Sequence, residues 1–467
     1  MPEVDQLFAA GRSSMIAAAG AGKTTLIVAA VERRANQRHL ILTHTHAGVH
    51  VLRCRLRSRG VSASAAKVDT IASWALRYAN AYPATTGRAP GQPTDQAEWD
   101  QLYLVTPALL RTPFMKRVLA NSYDGVFVDE YQDCTLGQHE IVCAIAETLP
   151  TRVLGDHLQG VFEFRNTQTV SRDWNRYVVR NFPAIRPLDQ PRRWQNTNPA
   201  LGGWLQQVRV ELLAGRPIDL RDPSVNWIQL PAAGRDVQAT QQRACFGLRL
   251  GNGETAAAIH QHRNQTYYIS ARLNGRFTAI EPIDSQDLAA AATAIDRSSG
   301  PLRAAEVLKL ARKCMTQVGT ELSTVLTAFE GNRIPRRRTD RHRSQFDALK
   351  SVAETAAFPP VIRALESLKK LDASILYRPE LFYETIRALR AVIQGSFPNL
   401  AEALSHARNQ TRYIGRRIPR CVLSTPLLLK GLEFDHAIVL DADRLQSSNG
   451  CSRELPGLPM KTTSCLS

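Results

Sequence analysis

Two short stretches carry residues whose types and spacing suit chemistry on a phosphate. The first is Ala17-Ala18-Ala19-Gly20-Ala21-Gly22-Lys23-Thr24-Thr25, which follows the apolar pair Met15-Ile16 and opens an apolar segment from Leu26 to Val31. Small residues let successive backbone N–H groups turn inward onto a phosphate, a lysine reaches its outer oxygens, and a hydroxyl can ligate Mg²⁺. Gly20, Gly22, Lys23 and Thr24 supply these in order, with Ala17 where the usual G-x-x-x-x-G-K-[ST] pattern has its first glycine. Ala19, Ala21 and Thr25 complete the expected cradle.

The second stretch is Gly125-Val126-Phe127-Val128-Asp129-Glu130-Tyr131-Gln132-Asp133, an apolar strand ending in two adjacent carboxylates. Ligands of parallel sheets collect at the carboxyl ends of the strands, which would bring these acids beside the phosphate loop. Asp129 suits the Mg²⁺ that Thr24 also ligates, and Glu130 suits orienting and deprotonating the water that attacks a γ-phosphate. Taken singly, each stretch has a plainer reading, a small-residue turn and an acidic turn. Their pairing points to a nucleoside triphosphate.

Elements to position these residues are legible on both sides. The loop reads as strand, phosphate loop, helix. Leu40-Ile41-Leu42-Thr43 reads as a second buried strand, followed by His44-Thr45-His46-Ala47-Gly48 and a basic helix with Arg53, Arg55, Arg57 and Arg59. That helix is either a face for a nucleic-acid backbone or simply a solvated one. Val68 to Trp74 begins another helix, and Pro83 to Asp95 reads as a loop leading into a small insertion. Val153-Leu154-Gly155-Asp156-His157-Leu158-Gln159 is a further strand with polar groups at its end. Strands alternating with helices predict a parallel α/β sheet. Leu188 to Trp194 marks a boundary, since Pro191 and paired arginines break the apolar rhythm. A second α/β domain follows, with strands and helices at Cys245–Leu248, Thr255–His260, Tyr267–Leu273 and Thr278–Ile280. From about Leu302 to Leu404 helical periodicity dominates, and the run Arg333 to Arg343 is either a solvated linker or a phosphate-contacting face.

Bulk properties narrow the function classes. A chain of 467 residues exceeds one hydrophobic core and suggests two to four domains. No apolar run approaches the ~18 residues of a membrane span, and the start lacks a signal-peptide pattern. These features predict an intracellular, cytoplasmic protein without a membrane partner. Eight scattered cysteines with no C-x-x-C pair argue against a zinc site and against a disulfide framework. The 59 basic against 42 acidic residues give a net charge of +17, which points to nucleic acid as a polyanionic partner.

With these motifs assembled, the chain resembles a superfamily 1 helicase of the UvrD/Rep type over nearly its whole length, up to Asp443. Asp129-Glu130-Tyr131-Gln132-Asp133 is close to the family's D-E-x-Q-D, and Gly155-Asp156-His157-Leu158-Gln159 resembles its G-D-x-x-Q. The resemblance implies two RecA-like parallel-sheet domains with helical insertions. It places the first domain at 1–190 with a small insertion at about 76–120. The second would span 191–299 and 402–467, interrupted by a helical insertion at 300–401. It implies ATP and Mg²⁺, Gln6 as the adenine-reading glutamine, Gln159 as a γ-phosphate sensor, and Arg193 reaching the γ-phosphate from the second domain. Lys430-Gly431-Leu432-Glu433-Phe434 resembles the end of T-x-H-x-x-K-G-L-E-F, in which Glu433 would contact the ribose and Leu427 replaces the histidine. Thr43, His44, Thr70 and Thr425 fall in strand-contacting motifs, and Phe164 takes the place of an aromatic that stacks on a base, its plainer reading being a core aromatic.

Two function classes follow from this likeness. The first is an ATP-dependent DNA translocase or helicase acting on single-stranded or partly unwound DNA, 3′ to 5′ by family analogy, of the kind used in DNA repair. The second is a catalytically weak ATP- and DNA-binding subunit, completed by a partner such as a nuclease, or a truncated remnant. The residues after Asp443 hold no motif like Y-V-A-x-T-R and show no strand or helix period, which predicts a chain ended before the family's last arginine. Loss of such an arginine lowers hydrolysis by ~10³ or more.

Overall fold

The computed structural model describes residues 2–93, 95–160, 168–231, 235–281, 286–336, 341–414, 418–442 and 462–466. They fall into two compact units that divide between Ser224 and Val225, with the strand at Thr462–Leu466 belonging to the second. Residues 191–224, expected with the second domain, group with the first.

The first unit is built on five strands: β1 (Arg12–Ile16), β2 (His39–Thr43), β3 (Ala66–Thr70), β4 (Gly125–Val128) and β5 (Thr151–Gly155). Their order is β1-β5-β4-β2-β3, and every pairing is parallel. A parallel sheet covered on both faces needs strands that are apolar throughout, because successive side chains point to opposite layers. β4 and the Leu40–Leu42 run of β2 show this, while the outer strands β1 and β3 carry polar residues such as Ser13, Ser14, Lys67 and Asp69. Ile41, Phe127 and Leu154 join one core with Leu26, Ile27 and Val31 of the helix Lys23–Arg33. Their neighbours Leu40, Leu42, Val126, Val128 and Val153 join the opposite core with Trp74, Leu109, Ile141 and Ile145. Since all five strands run the same way, their carboxyl ends share one edge.

Local signals fix where the helices start at that edge. The helix Lys23–Arg33 begins at Gly22, whose φ of 94° is left-handed, and no side chain caps it. The helix His46–Ser58 is capped by Thr45, the helix Ile71–Ala81 by Thr70, and the helix Leu136–Ala146 by a reciprocal pair from Thr135 and Gln138.

The second unit holds β6 (Asn226–Gln229), β7 (Ala256–Ile259), β8 (Thr278–Ala279), β9 (Cys421–Ser424), β10 (His436–Val439) and β11 (Thr462–Leu466), ordered β6-β11-β10-β7-β9-β8. The pairings among β7, β8, β9 and β10 are parallel, while β11 runs antiparallel to both β6 and β10. The tail was expected to carry no regular element, and β11 corrects that. Its Thr462-Thr463-Ser464-Cys465-Leu466 lacks alternation, and backbone pairing along both of its edges holds it instead. Tyr267–Leu273 falls largely in the helix Arg263–Arg272.

Between β8 and β9 lies the helical insertion, with helices Gln286–Arg297, Gly300–Cys314, Arg343–Glu354, Pro359–Leu368, Pro379–Ile393 and Leu400–Ile414 among its elements. Its core, which includes Leu308, Phe329, Leu365, Phe382 and Leu389, draws only on residues of the insertion. A buried ion pair ties it to the sheet: Arg378 donates through Nε and Nη2 to Glu281 at 2.5 and 2.8 Å, and the Tyr267 hydroxyl donates to the same carboxylate at 3.0 Å.

Candidate nucleotide site

At the carboxyl edge of the first sheet, the phosphate loop and the acidic strand end meet. Gly20 and Gly22 take φ of +66° and +94°, a left-handed backbone that the loop needs and that side chains oppose. The uncapped start of the helix Lys23–Arg33 then offers its backbone N–H groups to an anion. Lys23 Nζ lies 3.4 Å from the carbonyl oxygen of Ala17 and 3.7 Å from Glu130 Oε1, so the lysine bridges the loop and the acid. Thr24 donates its hydroxyl to Asp129 Oδ2 at 3.1 Å. The two residues expected to hold Mg²⁺ therefore touch. Burial and the neighbouring Glu130 carboxylate push Asp129 up to about 6, against the pull of Lys23 and Thr24. Two adjacent carboxylates that disfavour one another's charge form a donor set that a divalent cation satisfies. The residues fit the ion, with the Thr24 hydroxyl and Asp129 carboxylate as donors, and among the described residues no group of three or more His, Cys, Asp and Glu is placed to hold a metal.

A polar relay connects this pair to the next strand end. Glu130 sits at φ 54°, and its carboxylate accepts a hydrogen bond from the Gln132 side-chain amide. The oxygen of the same amide accepts from the backbone N–H of Asp156 at 3.0 Å. Asp156 Oδ2 accepts from Gln159 Nε2 at 2.7 Å and from Arg209 Nη1 at 2.5 Å. Gln132 and Asp156 are fully buried. Glu130, Gln132, Asp156, Gln159 and Arg209 thus form one chain of hydrogen bonds. The reading of the sequence gave no role to Gln132 or Arg209. Gln132 lies inside the quoted D-E-x-Q-D, so its spacing was a usable signal, whereas Arg209 stands on the helix Pro199–Leu213 with no motif around it.

The family model described as UvrD/REP helicase N-terminal domain matches residues 92–171. This stretch is UvrD-like. It contains Asp129, Glu130, Gln132, Asp156 and Gln159, while the phosphate loop lies upstream of it. A comparison with curated proteins found no match.

Around the UvrD-like stretch, the remaining expected residues are distributed as follows. Arg193 is in the first unit, where its backbone N–H donates to the Gly20 carbonyl at 3.0 Å. The ring of Trp194 packs over Gly20 so closely that a Cβ there would overlap it. Arg192 pairs with Glu3 on the first helix, Pro2–Ala9, which also carries Gln6. Ala19 is exposed on the loop and Thr25 on the first turn of the helix Lys23–Arg33, while Ala21 is buried. Thr43 and Thr70 are register partners at the ends of β2 and β3. Both are buried, and the Thr70 hydroxyl accepts from the Ser73 N–H at 3.0 Å. His44 follows Thr43 at the same edge. Thr425, at the end of β9, precedes the short helix Pro426–Leu429, and Glu433 is exposed before β10; both are in the second unit. Phe164 lies outside the described residues. Among the described residues no helix is long and apolar enough to cross a membrane.

Proposed function

We propose that the protein is an ATP-driven DNA translocase or helicase that acts on single-stranded or partly unwound DNA with 3′-to-5′ polarity. The observation that carries this reading is the meeting of Lys23, Thr24, Asp129 and Glu130 at one sheet edge, in a chain whose UvrD-like stretch supplies the acids. The uncapped helix start and Lys23 hold the β- and γ-phosphates. Thr24 and Asp129 hold Mg²⁺, which neutralises phosphate charge when bound. Glu130, kept in place by Lys23 and Gln132, orients the attacking water and accepts its proton. Gln159, held by Asp156, senses whether the γ-phosphate is present. Gln6 reads the base, Glu433 the ribose, and Arg193 adds positive charge at the γ-phosphate. Thr43, His44, Thr70, Phe164 and Thr425 contact the DNA strand, and the charge of +17 favours that polyanion.

Steady-state ATP hydrolysis by the purified chain, with and without oligo-dT, tests the proposal. DNA-stimulated turnover is expected, with Lys23→Ala abolishing ATP binding and Glu130→Gln keeping binding while lowering turnover by ~10²-fold or more. ATP binding without stimulated turnover would sink the motor and leave a DNA- and nucleotide-binding subunit. Strand displacement on substrates with a 3′ or a 5′ tail reads the polarity.

A further inference from the structure

A groove of about 570 Å³ runs between the end of the helix Pro359–Leu368 and the helix Pro379–Ile393, lined by none of the residues assigned above. Its charge is one-sided. Lys369 and Lys370 line one bank, Arg387 and Arg390 the other, and Glu366 is the only acid among its lining residues. That acid is already engaged by Arg390 at 3.4 Å. Lys370 and Arg387 are exposed and have no carboxylate partner among the described residues. Between the banks lie Phe382, Ile386 and the half-exposed ring of Tyr383.

We propose that this groove binds an acidic peptide segment, with carboxylates on either side of one apolar side chain. Tyr383, Arg387 and Arg390 recur at helical spacing on one face, so their row spans ~10 Å at 1.5 Å per residue. That length matches about three residues of extended chain. Lysine and arginine on both banks complement carboxylates, and the apolar floor takes the side chain between them. The alternative polyanion, a single nucleic-acid strand, fits less well. Stacking needs a free ring face, and the Lys369 ammonium already lies 5.2 Å from the Tyr383 ring centroid while donating to its hydroxyl at 2.8 Å. The proposal stands apart from the helicase reading, because none of its residues belongs to the nucleotide site.

The test is fluorescence anisotropy on the full chain. The probe is a labelled pentapeptide carrying two glutamates on each side of a central Phe, run beside its glutamine analogue and a labelled hexamer of dT. Saturable binding of the glutamate peptide is expected, weakened at least about tenfold in the Lys370→Glu/Arg387→Glu variant and in the glutamine analogue. Equal binding of the two peptides overturns the proposal, as does binding unchanged by the charge reversal. It also fails if the dT hexamer binds in a manner sensitive to the same reversal while the glutamate peptide does not bind. The peptide comparison uses the wild-type chain, so it decides the question even if the variant folds poorly.

Discussion

Gln132 stands between two strand ends of the candidate site with both ends of its amide engaged, one by the Glu130 carboxylate and one by the Asp156 backbone. Removing it leaves the loop and Lys23 intact but takes away one of the holds on the carboxylate that, in the proposed mechanism, aligns the water. Gln132→Ala is therefore expected to lower the ATP turnover number by ~10-fold or more while changing the KM for ATP little, a split that steady-state kinetics reads directly. His39 belongs to the same scale for a different reason. Its ring is buried against Phe8 and Phe127, and burial together with the Arg152 guanidinium lowers its pKa from 6.5 to about 4. The folded chain keeps His39 neutral in a range where the unfolded chain protonates it. The stability this contributes is complete above pH 6.5 and is lost as pH falls toward about 4. Denaturant unfolding at pH 7.5 and pH 4.5 checks this: His39→Phe should lose ~2 kcal/mol less than wild type across that interval. That Lys23, Thr24, Asp129 and Glu130 would meet was legible because each pair lies in a short segment at the end of a readable strand. Arg209 was not, since its partner Asp156 is distant in sequence and any helix carries arginines.

The elements were legible where periodicity is strong. Leu40 to Thr43, Val126 to Val128 and Val153 to Gly155 read as buried strands because both sheet faces are covered, and their polar ends marked the edge where Lys23, Thr24 and Asp129 meet. Tyr267–Leu273 was less decisive, since aromatic and β-branched residues suit a strand while its place in the fold makes it helical. Gly155, the glycine of the G-D-x-x-Q-like stretch, shows an element-scale constraint whose cause only the packing reveals. A Cβ there would lie 2.7 Å from Gln132 Oε1 and 2.9 Å from the Trp174 ring, with the Gln132 backbone N at 3.0 Å. Gly155→Ala must displace the end of β5 from the Gln132 turn. A loss of ~1–3 kcal/mol in chemical denaturation is expected, together with reduced ATP turnover. Unchanged values for both would mean that the strand end and the relay are not coupled.

Across the whole molecule, the excess of basic over acidic residues sets an expectation about conditions as well as partners. Binding of single-stranded DNA, followed by anisotropy, is expected to weaken by about tenfold or more between about 50 and 200 mM salt. Affinity independent of salt would remove the electrostatic argument for a polyanion. Two α/β units with a helical insertion were foreseeable from alternating and then helical periodicity. The unit division at Ser224 was not, because the association of residues 191–224 with the first unit depends on contacts such as Arg193 to Gly20 and Arg209 to Asp156.

The helical insertion also bears on how the second sheet comes together. β8 and β9 are adjacent in that sheet, yet Ala279 and Cys421 are separated by the entire insertion. Closing a flexible loop of that length would forfeit roughly 4 kcal/mol of chain entropy. An insertion with its own core can fold first and present Glu281 and Arg378 side by side. The effective distance between the strands then shrinks from a long coil to the width of a folded body. An insertion that folds on its own core would act as a built-in tether, turning β8–β9 pairing into a local step rather than a long-range search.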